Sequence, residues 1–243
     1  MDEKSLVLDR KYTCPVCDNK LTAKAVKTNS AKFVETKPDL RPVHSNINVN
    51  KYDTICCTNC GFAALTKNFT NTTQTQRRLI REKIQANYKP HDDAPCDFYT
   101  TEQAISRMKM VLLCTVTKQA KDSEIGNVCL KLSWLYQDLA DELPDDVASA
   151  VKREAYLKEA NNAAMNAYDH FVKARMNEDF PIAGMSETTL DYLLAYYAYI
   201  KGEYSTAMQY LSGVVTNRNT SPRLKDKSLE LKDLVNAKLH PSE

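Results

Sequence analysis

Apolar positions change their spacing partway along the chain. Up to about residue 69 they come in short runs: Val7 to Tyr12 alternates loosely, Ala23 to Lys27 and Lys32 to Thr36 are brief, and Tyr52 to Cys56 leads into a pair of cysteines. Pro38, Pro42 and the polar stretch Asn46 to Asn50 break any helix. Residues 1–72 are therefore expected to form a small module of short strands and loops. From residue 73 the spacing becomes helical, first over Gln74 to Tyr88, and the stretch Pro90-His91-Asp92-Asp93-Ala94-Pro95 then interrupts it, so 73–95 reads as a helix and a linker.

Residues 96–243 carry a series of helical stripes. Thr100 with Gln103 has the form of a capping box, and Ile105, Met108, Leu112 and Val116 recur behind it in a helix expected to run to about Ala120. Ile125, Val128, Leu132, Leu135 and Leu139 mark the next. Pro144 fits the first turn of a long helix striped by Leu157, Ala160, Ala164, Tyr168 and Phe171 and ending near Asn177. Three more helices are expected at about 187–201, 204–217 and 222–239. The pair joined at Lys201-Gly202-Glu203 resembles a tetratricopeptide repeat, with Leu194, Gly202, Tyr204 and Ala207 at matching positions, while Ala195 and Asp191 depart from the pattern.

Composition narrows the class. At 243 residues, 43% hydrophobic and 26% charged, the chain has the make-up of a folded protein of more than one part. No long uncharged tract is present to span a bilayer, and Met1 to Leu8 lacks the form of a signal peptide, so a cytoplasmic location is expected. In a reducing compartment, eight cysteines point away from disulfides and toward metal or redox chemistry.

Four of those cysteines fall into two pairs, Cys14-Pro15-Val16-Cys17 and Cys57-Thr58-Asn59-Cys60-Gly61, separated by 39 residues. Each has the spacing of a zinc knuckle, in which two thiolates grip one metal and backbone N–H groups donate to sulfur. The residue after the second cysteine of a knuckle often takes a left-handed conformation, which Gly61 and Asp18 both tolerate. Cys14, Cys17, Cys57 and Cys60 are therefore the expected ligands of one structural zinc ion per chain. Cys56 and His44 are alternative ligands, and iron also accepts four thiolates. A redox dithiol would need a helix start that Cys14-Pro15-Val16-Cys17 does not supply. Cys114 and Cys129 sit in apolar helical patterns and read as buried thiols. The fold class that follows is mainly α: a small zinc-ribbon-like module of strands and loops, then a tetratricopeptide-like antiparallel helical array.

Charge is uneven. Residues 1–90 hold 16 Lys and Arg against 8 Asp and Glu, the remainder 17 against 23. A basic module, with Arg77, Arg78, Arg81 and Lys83 on one helix, allows nucleic-acid binding as the second reading. The first is a protein or peptide partner held by the helical array, with Tyr192, Tyr196 and Tyr199 as contact candidates against their alternative as packing. Motifs of the common hydrolases and nucleotide-binding enzymes are missing, and no enzymatic activity is expected. His91 with Cys96 is the one thiol and imidazole pairing close in sequence that a cysteine-based enzyme would use.

The cysteine segments also resemble a bacterial family of uncharacterised proteins, domain of unknown function 2225. Tyr12-Thr13-Cys14-Pro15-Val16-Cys17 is similar to its first motif, and Cys57-Thr58-Asn59-Cys60-Gly61-Phe62-Ala63-Ala64 to its second, with Phe62 in place of the common Tyr. Asp39-Leu40-Arg41-Pro42-Val43-His44 fits the family's loop, with His44 where Tyr is expected. The resemblance implies the same two-part architecture over nearly the whole chain and no particular activity.

Overall fold

The structure is a computed structural model that describes residues 2–91 and 93–240; Met1, Asp92 of the linker and residues 241–243 lie outside them. After a single turn, α1 (Glu3–Leu6), come three antiparallel hairpins: β1 (Val7–Thr13) with β2 (Lys20–Val26), β3 (Phe33–Thr36) with β4 (Pro42–His44), and β5 (Thr54–Cys56) with β6 (Ala63–Leu65). Each hairpin is its own two-stranded sheet, and isolated hairpins are marginal in water. These lean on something else. Then follow α2 (Gln74–Lys83), α3 (Thr101–Thr117), α4 (Asp122–Asp141), α5 (Val147–Asn177), α6 (Glu187–Lys201), α7 (Tyr204–Thr216) and α8 (Pro222–Leu239). A small N-terminal set of short antiparallel strands followed by a helical array is the mainly α arrangement that the patterning implies.

Capping explains where the helices begin. Thr73 with Gln76 and Thr100 with Gln103 close reciprocal capping boxes at α2 and α3, and Asp146, Ser186 and Ser221 cap α5, α6 and α8. Pro144 lies before the cap of α5 rather than in its first turn, because Asp146 accepts the N–H of Ser149 and sets the start at Val147, three residues later. The buried face of α3 also differs from the expected stripe. Ala104, Met108, Val111, Thr115 and Lys118 point inward while Val116 is exposed, since the face follows a 3.6-residue period and Val116 has rotated off it. Lys118 is buried and donates to Glu124 at 2.6 Å.

Two large cores share the molecule. The first unites Phe62, Ala63, Leu65, Phe69 and Ile80 of the N-terminal segment with Met108, Val111, Leu132 and Leu135 of α3 and α4. Burial of Phe62 and Phe69 contributes roughly 1.5–3 kcal/mol each. The second lies among α4 to α8, around Phe171, Leu190, Leu193, Leu194, Ala207, Leu211 and Val235. Gly202 ends α6 in a left-handed conformation (φ 83°), the turn that folds α7 back onto it. Asp191, which breaks the repeat pattern, is buried and paired with Arg175 of α5 at 2.5 Å.

The segment between the two cysteine pairs forms the middle hairpin, which docks on the helices. Trp134 of α4 donates to the Asp39 carbonyl, Arg41 reaches Asp138 at 2.5 Å and Asp141 at 3.0 Å, and Asn48 donates to Asp138 at 2.6 Å. Lys227 of α8 donates to the Thr36 carbonyl at 3.0 Å. Burial pushes the Asp138 carboxyl up against the pull of Asn48 and Arg41, whereas Arg41 is held protonated by its two carboxylates. Both neighbours donate to Asp138, the geometry of an ionised carboxylate.

Candidate metal centre

The turns of two hairpins carry the two cysteine pairs. Cys14 and Cys17 lie between β1 and β2, and Cys57 and Cys60 between β5 and β6. The turns close in the same way. Cys14 N–H donates to the Asn19 carbonyl and Asp18 N–H to the Cys14 carbonyl, both at 2.9 Å; Cys57 N–H donates to the Phe62 carbonyl at 2.8 Å and Gly61 N–H to the Cys57 carbonyl at 2.9 Å. Asp18 and Gly61 take the left-handed conformation, φ 58° and 75°. At Gly61 the need is double, because a Cβ there would sit 2.5 Å from the Tyr88 ring.

The two turns bring four sulfur atoms together. All four ligand atoms lie within 4.8 Å of one another, with Cys14 and Cys60 sulfurs 3.6 Å apart and Cys17 and Cys57 sulfurs 3.7 Å apart. Zinc to sulfur bonds of about 2.3 Å in a tetrahedron place sulfurs about 3.8 Å apart, so the cluster has the size of a four-thiolate metal site. It is far too open for disulfide bonds, and all eight cysteines are free. Cys14, Cys57 and Cys60 are buried and Cys17 is half-buried. Contacts within the cluster set three of the thiols apart: hydrogen bonding with Cys14 and Cys60 drives the Cys57 thiol down, contact with Cys57 pushes Cys14 up, and contacts with Cys14 and Cys57 push Cys60 up. A metal ion would replace the thiol protons.

The surroundings fix the two turns. Asn59 donates from its side chain to the Cys17 sulfur at 3.4 Å, and Arg81 of α2 donates twice to the Val16 carbonyl, at 2.9 and 2.6 Å. Cys114 of α3 accepts the Ala63 N–H and donates to the Gly61 carbonyl at 3.4 Å, tying that helix to the second turn. Burial pushes the Cys114 thiol up to about 12, so it stays a donor. No local sequence signal marks Arg81 or Cys114 for these tasks, since each acts over 50 or more residues of chain.

Other singled-out residues go elsewhere. The Cys56 sulfur faces the Arg107 carbonyl at 3.9 Å, and His44 packs edge-on against Phe33, so neither joins the four-sulfur cluster. Cys56, His91, Asp93, Cys96 and Arg107 line a cavity of about 490 Å³ beside the second turn. His91 faces the Tyr88 hydroxyl at 3.2 Å and Asp93 at 3.5 Å, and among the described residues no hydrogen bond joins it to Cys96. Of the basic residues on α2, Arg81 is turned to Val16 and Arg78 lies 3.8 Å from Glu82. Tyr192 is buried in the second core and unavailable as a surface contact, while Tyr196 and Tyr199 are half-buried.

Fold and site together define a module with a four-cysteine cluster that could hold a metal ion, built onto a helical array. A family model described as an uncharacterized protein conserved in bacteria (DUF2225) matches residues 7–235, and the chain belongs to that family. No curated protein and no solved structure matches it. Among the described residues, no helix is long and apolar enough to cross a membrane.

Proposed function

We propose that the protein is a cytoplasmic interaction module in which one structural zinc ion fixes the N-terminal hairpins and the tetratricopeptide-like helical array holds a protein partner. A closed shell of four thiolates leaves no position for water or substrate, which supports a structural role for the metal. The observation that carries the binding role is a cleft among α4, α5 and α6. Tyr196 and Tyr197 line it, and Leu157 and Ile200 stand at it 46% and 47% exposed. Large apolar side chains left in water beside a concave surface mark a contact face. The nucleic-acid reading is weaker, since Arg81 of the basic cluster is committed to the Val16 carbonyl.

A photo-crosslinking amino acid at position 200 tests this in cells, with position 229 on α8, where Leu229 is also exposed, as the control. The expected result is a discrete protein adduct at 200 and none at 229. Matching adducts at both positions, or adducts to nucleic acid, would overturn the proposal.

A further inference from the structure

The loop between β3 and β4 brings an acidic group to this cleft. Asp39 is only 4% exposed and lines the cavity, of about 210 Å³, together with Gln137, Leu157, Tyr196, Tyr197 and Ile200. Its carboxylate accepts the Arg41 N–H at 3.1 Å and the Gln137 side-chain amide at 2.8 Å. Both partners are neutral donors. The neighbouring cations are committed elsewhere: Arg41 places its terminal nitrogens on Asp138 and Asp141, and Lys37 pairs with Glu35. Among the described residues Asp39 forms no ion pair, so its carboxyl is held by neutral donors alone where it lines the cleft.

A second and independent feature lies in the same place. The Tyr197 hydroxyl is buried and has no hydrogen-bond partner, an arrangement that folded proteins avoid unless something completes it. Burial first, and the charge of Asp39 second, keep that hydroxyl protonated far above its ordinary range. The half-buried Tyr196 beside it offers an aromatic wall.

Resting on the reading of this cleft as the partner-binding face, we propose that it receives a lysine or arginine side chain of a partner peptide. The cationic head donates to the Asp39 carboxylate and to the Tyr197 hydroxyl oxygen. Its methylene stem lies along Tyr196, and apolar residues flanking it in the peptide cover Leu157 and Ile200. Charge complementarity selects this occupant: the Asp39 carboxyl in the cleft forms no ion pair among the described residues, and an apolar or acidic side chain would leave it so.

The test uses the full, metal-loaded chain as bait for a displayed library of random twelve-residue peptides. Enriched peptides are then synthesised and titrated calorimetrically. The expected result is a lysine or arginine at one fixed position beside apolar residues. Affinity should fall at least tenfold when that residue becomes norleucine, or when the bait carries Asp39→Asn, and severalfold with Tyr197→Phe. An exposed-site control, Asp145→Asn, should bind as the wild type does. Circular dichroism confirms that each variant is folded, and Tyr197→Phe supplies the comparison if Asp39→Asn is not.

Peptides that lack a basic residue, yet are lost with Ile200→Glu, would overturn the cation and leave the cleft in place. No enrichment by the folded bait would overturn both readings. Spermidine binding as tightly as the peptide would overturn a peptide source.

Discussion

The two cores of this protein are built by different means. Around Phe171, Leu193 and Val235 the second core is made of helices whose apolar faces meet over long lengths, so its stability is spread over many interchangeable carbon contacts. The first core joins the hairpin turns to α3 and α4 and includes Cys14, Cys57 and Cys60 themselves. Its strands are three to seven residues long and pair only in twos. Such pieces do not hold themselves together, and the proposed zinc on the four sulfurs would concentrate the cohesion at one point. One region therefore tolerates repacking, while the other depends on single residues.

That contrast is sharpest for the cysteines. Cys14→Ser or Cys57→Ser removes one of the four sulfurs that the proposed zinc ion needs. Amide protection should collapse in β1, β2, β5 and β6 and weaken in α3, while α6 to α8 keep theirs. Hydrogen exchange read peptide by peptide checks this, and uniform loss along the whole chain would erase the distinction between the cores.

Next in size is the joint between the regions. Arg41→Ala leaves Asp138 buried without its guanidinium, which should lower stability by about 3–5 kcal/mol in denaturant unfolding. The same variant should free the β3–β4 hairpin without releasing metal. Metal loss at equal protein concentration would show that the hairpin and the thiolate site are one unit.

A smaller effect is expected at the second turn. Gly61→Ala strains a left-handed residue and drives a Cβ into the Tyr88 ring, at a cost of about 1–3 kcal/mol. Adding Tyr88→Ala should relieve the clash but not the strain, so the double variant recovers part of the loss. Smallest of all, Arg78→Ala on the exposed face of α2 should change the unfolding free energy by no more than about 0.5 kcal/mol, because its i,i+4 contact with Glu82 is in water. A larger change would give that helix surface a task inside the fold.

The contrast also decides what was legible in the sequence. Helices α6, α7 and α8 stand within a residue of where the apolar period and the turn at Gly202 put them. The cysteine pairs were equally plain, since a two-residue gap followed by Gly61 or Asp18 is a local signature of a tight turn. Strands β4 and β6 were missed because three residues carry no period. The docking of Asp39 and Arg41 on α4 was missed for a different reason. It joins residues about 100 apart through a hydrogen bond, an ion pair and a tryptophan, none of which leaves a mark on neighbouring positions. Cys114 reads as an ordinary buried thiol until the fold sets it against the Gly61 carbonyl.

The most direct test of a zinc-held N-terminal region is elemental analysis of the purified chain, alongside Cys14→Ser and Cys57→Ser. One zinc per wild-type chain and none in either variant is the predicted result. A folded wild-type protein free of metal, or one holding a coloured iron centre, would contradict it.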